Sequence, residues 1–189
     1  MNLNKPAWMA LILAFSAPTV HAEASLAHCQ ETVNKFRQLG NVPQMMAESY
    51  GYAVLPTIGK GGMGVGAAGG TGCVFAGGKE TGKISMGQVT IGWQLGGQAY
   101  SQIILFRNAD TYREFTRGQF EFGANATAVA LTYGAAAGAT TKGASVSAGD
   151  TKAKGIWKRG MAVFTLAKGG LMYEASIGGQ KFFYKPLGE

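Results

Sequence analysis

The sequence predicts one α+β domain: N-terminal helices packed on a strongly bent, mainly antiparallel β-sheet or partial barrel. Three observations point there. The chain has 189 residues, enough for a single real core, with 47% hydrophobic and only 14% charged residues. Its 30 glycines are about twice the usual share of roughly 7%. Apolar residues recur at helical spacing only near the N-terminus, and from Tyr52 onward they alternate or run continuously between glycine pairs, the pattern of strands and turns.

Residues 1–22 read as a signal peptide outside the fold. Met1 to Lys5 is a short basic start, Ala7 to Ala17 an apolar run, and Val20-His21-Ala22 a small-x-small cleavage site. The mature chain is expected to begin at Glu23 and to be exported to the periplasm. His28 stands before Cys29 where a lipoprotein signal needs a small residue, so no lipid anchor is expected. No later apolar run has the length of a bilayer span. Loss of Lys5 lowers the net charge from +7 to +6. A basic exported chain meets anionic lipid head groups, not nucleic acid.

The expected domain is 23–189, helical over 25–51 and β-rich over 52–187. Ser25 is an N-cap for a helix to Gly40, with Leu26, Cys29, Val33, Phe36 and Leu39 at spacings of three and four. Pro43 starts a second short helix that Gly51 closes. Cys29 and Cys73, an even pair in an oxidising compartment, suggest a disulfide from the first helix to the first hairpin. Two buried free thiols are the alternative. Lys83 to Trp93 reads as a strand with a phase change near Gly87, a sign of a bulge. Ile103 to Phe106 suits a central strand covered on both faces, and Asn108-Ala109-Asp110 offers caps for a short helix over 111–117. Phe120 to Tyr133 alternates like one half-buried strand. Gly134 to Lys158, with Lys152, Lys154 and Lys158, reads as a mobile basic loop.

Two stretches share a design. Ala53-Val54 stands ahead of Lys60-Gly61-Gly62, and Ala162-Val163 ahead of Lys168-Gly169-Gly170, each followed by a second Gly-Gly. Two glycine-hinged hairpins, each with a lysine at its turn, are expected to form the two ends of one sheet system. Glycine N–H groups allow close approach of an anion, so Lys60, Gly61, Gly62, Lys168, Gly169 and Gly170 are the candidate anion-binding residues. Lys79 and Lys83 would add to the field. A lysine in such a place can equally cap a turn or pair with a carboxylate such as Glu174; Glu121 and Glu174 lie in strand-like segments and are candidates for burial.

Enzyme chemistry finds little material. Gly64 to Gly69 matches a dinucleotide fingerprint, but a β-prone run follows where a helix must open. Gly77 to Lys83 has P-loop spacing, yet Ile84 replaces the hydroxyl residue that would hold magnesium. After signal removal His28 is the last histidine, which leaves no His-based triad and no multi-histidine metal site. No enzyme activity, cofactor or metal is expected.

Four ordered blocks carry a family resemblance. Gly51 to Pro56 before Gly59 to Gly62, Leu95 to Ser101, Phe120 to Ala124, and Lys168 to Ala175 together resemble the SYLF domain family, over roughly residues 47–187. The resemblance implies a lipid-binding module. Eukaryotic members bind phosphoinositide membranes, and a fungal branch also bundles actin. For an exported chain it implies a membrane-associated, phospholipid-binding protein of the cell envelope, and the lysine turns are the residues expected to meet its head groups. The alternative is a periplasmic scaffold that holds a protein partner.

Overall fold

The computed structural model describes residues 24–92, 98–124, 126, 128–131, 157–168 and 177–188. The expected leader, most of the 134–158 loop, Gly169, Gly170 and Glu174 lie outside them.

Helix α1 is Leu26–Phe36, and Ser25 caps it by accepting the His28 N–H on its side chain. Helix α2, Val42–Ala47, carries Pro43 in its first turn, where a missing N–H costs nothing. Seven strands follow: β1 (Gly51–Ala76), β2 (Lys79–Gly92), β3 (Gln98–Phe106), β4 (Gln119–Glu121), β5 (Val129–Leu131), β6 (Met161–Lys168) and β7 (Lys181–Pro186). Between β3 and β4 stands α3, Ala109–Phe115, capped by Asn108. The strands form one sheet in the order β4-β7-β2-β1-β3-β6-β5. All described pairings are antiparallel except β5 with β6. β4 and β5 stand at opposite edges, so the sheet is not closed into a barrel.

β1 doubles back on itself. Twenty-six extended residues would reach about 80 Å. Yet a Cβ built on Gly51 would lie 2.4 Å from the Phe75 carbonyl, one on Gly70 2.4 Å from that of Thr57, and one on Gly72 2.0 Å from that of Val54. Residues 51–60 and 66–76 are therefore two arms lying side by side, with the reversal between them. The first arm pairs with β3 through Lys60 opposite Gln98, and the second with β2 through Gly64 opposite Gly92.

The sheet has an apolar cluster on each face. Cys29, Val33, Phe36 and Met45 are buried with Val54, Cys73, Ile103, Leu105 and Phe164. The other face buries Leu55, Ile58, Ile84, Met86, Ile104 and Phe106 with Phe115 and Phe182. There Phe182 lies 5.2 Å from Phe115 and 5.6 Å from Phe122, tilted and edge-on packings that add to the buried area. β3 serves both clusters and is buried from Tyr100 to Phe106, as its unbroken apolar run requires.

Several expectations are corrected. The phase of β2 does not change at Gly87: Ile84, Met86 and Gln88 all face inward, and Val89 faces out. Gln88 is tolerated inside because its Nε2 donates to the Gly178 carbonyl at 2.9 Å. The irregularity falls at Thr81 instead, between the pairs Val74 with Gly82 and Phe75 with Glu80. Phe120 to Tyr133 is not one strand, since β4 ends at Glu121 and β5 begins at Val129. Between them, the Phe122 N–H donates to Gln180 at 3.0 Å, and Ala126 accepts from Ile177 at 3.1 Å. Residues 169–176, the turn and following run of the second glycine-hinged stretch, lie outside the described residues; of its flanking strands, β6 pairs with β3 and β5, and β7 with β2 and β4 on the other side of β1. Glu121 is not buried; it stands half-exposed, 3.5 Å from Lys181.

A small polar network ties the crossing segment to the sheet. Gln102 and Gln180 are fully buried, with Gln102 Nε2 donating to Gln180 Oε1 at 3.0 Å and Gln180 Nε2 donating to the Tyr100 hydroxyl at 3.2 Å. Burial pushes the Tyr100 phenol up to about 12, although the Gln180 hydrogen bond pulls it down.

Candidate functional site

The register brings Lys60 and Lys168 to one end of the sheet. Lys60 lies opposite Gln98 and Lys168 opposite Ala99, so β3 separates them and their backbones are two strand spacings apart, about 10 Å. Their side chains leave on opposite faces, because Gln98 and Ala99 are neighbours on one strand. Lys60, half-buried, shares the face of Ile58 and Tyr100, which also oppose each other. Lys168 is exposed on the α1 face, where its Nζ donates to Thr57 Oγ1 at 2.6 Å.

Lys168 faces the polar side of α1, where Lys35 and Glu31 form an exposed ion pair of 2.7 Å. Partial burial first, then the Lys35 ammonium, bring the Lys168 ammonium below the ordinary lysine range, and Glu31 pulls the other way. Lys35 holds the Glu31 carboxyl below its ordinary range by hydrogen bond and charge.

Gly61 and Gly62 sit at the reversal of β1. Gly62 has φ +148°, and a Cβ there would meet Gly66 Cα at 2.3 Å, so only glycine closes the chain this tightly. Lys79 is at the other end of the hairpin, after the Gly77-Gly78 turn, nine residues of strand or about 30 Å away. The Gly77 to Lys83 stretch is thus a hairpin turn and the strand leaving it. Lys83 is occupied by structure: its Nζ lies 2.7 Å from Glu80 Oε1 and 3.1 Å from the Ala24 carbonyl. Cys29 and Cys73 form a disulfide that fastens α1 to the second arm of β1.

The sequence did not point to the surface beyond α1. Val65 is 65% and Val89 74% exposed, and both occupy the Cys73 face, since Val89 lies one register row from Val65 through Ala67. Ala67, Gly69 and Gly87 are exposed beside them, and a Cβ on Gly59, Gly61 or Gly87 would meet nothing within 4 Å. Among the described residues, this end of the face is open, apolar and bordered by Lys168. Strict alternation through Gln88 would have revealed Val89 as outward-facing. Among the described residues no three His, Cys, Asp or Glu side chains are grouped to hold a metal ion, and no helix is long and apolar enough to cross a membrane.

The model of one protein family, described as Las17-binding protein actin regulator (Ysc84), matches residues 87–184, just over half of the chain. The match runs from within β2 into β7; it includes α3 and Lys168 and leaves out α1, α2, β1 and Lys60. No curated protein matches the chain.

Proposed function

We propose that this chain, which belongs to the SYLF (Ysc84) family, is a non-enzymatic phospholipid-binding protein of the cell envelope. It is exported to the periplasm and lies on an anionic membrane with the reversal end of its sheet. The observation that supports this most is the open face itself: two strongly exposed valines among small residues, with a lysine at the border.

The valines supply apolar contact and the lysines supply charge. Burying a valine fully is worth about 1.5 kcal/mol or a little more, and a lysine near an anionic surface about 1 kcal/mol. Neither set is enough alone, so binding is reversible and needs both. Lys168 stands next to the lipid phosphates from the α1 face, while Lys60 reaches them around the glycine reversal from the other. Glycine N–H groups at Gly61 and Gly62 approach the same anions. Lys79 and Lys83 contribute only through the net positive field.

The description of the family names a protein partner, and an open sheet face also suits a protein surface. That is the second reading, a periplasmic scaffold. Co-sedimentation of residues 23–189 with neutral and phosphatidylglycerol-containing vesicles, at low and high salt, separates the two. Lipid binding predicts pelleting with anionic vesicles at low salt, lost in folded Lys60→Glu/Lys168→Glu and Val65→Asp/Val89→Asp variants. No binding to any vesicle, with one stoichiometric protein recovered from envelope extract, would refute it in favour of the scaffold.

A further inference from the structure

The opposite end of the hairpin carries a second feature. A cleft of about 540 Å³ opens between the end of α1, α2, the start of β1 and the β1–β2 turn. That volume suits a small ligand. Its walls divide by chemistry. Arg37 enters from the end of α1, and among the described residues no ion pair engages its guanidinium. Tyr50, Tyr52 and Met46 give an apolar wall, with Tyr52 stacked on Phe75 at 4.9 Å. Gly77 and Gly78, at φ +56° and +77°, form the third side, with backbone N–H groups at the tip of a two-residue turn.

Several acceptors in and near the cleft are already used. Met46 O receives both the Ser49 N–H at 3.2 Å and the Ser49 hydroxyl at 2.8 Å, and Gln44 O receives the Glu48 N–H. At the end of α1, Lys35 O and Phe36 O accept from Gln38 and Leu39. No aspartate or glutamate is among the described residues lining the cleft. The lining side chains offer a cationic donor and aromatic rings, and no carboxylate. Arg37 also lies close enough to Tyr52 to oppose the upward push that burial gives its phenol.

We propose that this cleft binds a small amphipathic anion, its phosphate or carboxylate head held by Arg37 and the Gly77-Gly78 N–H groups and its apolar body lying on Tyr50, Tyr52 and Met46. A guanidinium presents paired donors that match such a head, and the ring faces give the body an apolar surface. The ligand is a lipid-like single amphiphile or a free anion of the same head chemistry. The site is independent of the membrane face, which lies at the other end of the sheet.

Amide and Arg37 side-chain NMR of residues 23–189, titrated with hexyl phosphate, inorganic phosphate and neutral hexyl glucoside, tests this. Hexyl phosphate is expected to shift Gly77, Gly78 and Arg37 saturably, and to bind at least tenfold more tightly than either control. Arg37→Gln, whose fold is checked by its unchanged spectrum away from the cleft, is expected to weaken hexyl phosphate roughly tenfold or more, the loss of a charge-assisted hydrogen bond. Equal binding of hexyl glucoside would remove the anion from the proposal, and equal binding of inorganic phosphate would remove the apolar body. Hexyl phosphate shifts located elsewhere, or full affinity in a folded Arg37→Gln variant, would overturn the site.

Discussion

Replacing Gly72 by alanine tests the doubling back of β1. A Cβ at Gly72 would stand 2.0 Å from the Val54 carbonyl oxygen and 3.0 Å from Leu55 Cα, where ordinary contact starts near 3.4 Å. Both obstacles are backbone of the first arm. That arm cannot retreat, because Val54 and Leu55 are paired on their other side with Ile103 and Gln102 of β3. The arms must part, at an overpacking cost of about 1–3 kcal/mol. Gly87→Ala is the control, with the same chemistry one strand away. Nothing lies within 4 Å of its Cβ and its φ is not in the left-handed region, so alanine there is neutral or stabilising by about 0.5 kcal/mol. For a chain of this length each kcal/mol moves Tm by about 2–4 °C. Thermal unfolding by circular dichroism should therefore place Gly72→Ala roughly 2–12 °C below wild type, with Gly87→Ala at or above it. Equal melting of the two variants would show that the arms do not touch.

The Cys29–Cys73 bond closes a loop with a sequence separation of 44, so a Cys29→Ala/Cys73→Ala variant should lose up to about 4 kcal/mol in guanidinium unfolding; an unchanged midpoint would contradict the bond. Tyr100 keeps its proton in the folded state to about 12 against an ordinary value near 10, so the stability it contributes is whole below about pH 10 and is lost as pH rises to 12. Over that window wild type should lose roughly 2–3 kcal/mol more than Tyr100→Phe in urea unfolding, and parallel losses would refute the assignment to Tyr100.

Much of the fold was legible because local chemistry agreed with it. Ser25 and Pro43 marked helix starts that the structure keeps, the 108–110 caps marked a third helix that starts two residues earlier than expected, at Ala109, and the unbroken run Ile103 to Phe106 marked a strand buried on both faces. Errors arose where tertiary partners decide. Gln88 looked like an outward residue in an apolar strand, but the Gly178 carbonyl waits for it inside, and this one inversion also hid the exposure of Val89. The similarity of the two lysine-glycine stretches suggested two equal hairpins. The first folds on itself, and the strands that flank the second, β6 and β7, stand on opposite sides of β1, a placement set by long-range pairing that composition does not encode. Spacing also could not tell that Lys60 and Lys168 share an end of the sheet while Lys79 and Lys83 do not. That depends on the register of β1 against β3 and on Glu80 claiming Lys83.

The most direct measurement of the central claim is the membrane depth of the open face. A nitroxide attached at position 89, and another at position 48 on the exposed end of α2, would be read by power saturation with oxygen and an aqueous nickel complex, with and without phosphatidylglycerol-containing vesicles. Membrane contact through the reversal end predicts that the label at 89 gains oxygen and loses nickel access on adding vesicles, while the label at 48 stays aqueous. A label at 89 that remains fully aqueous on vesicles to which the protein is bound would contradict this orientation, and with it the role given to Val65, Val89 and Lys168.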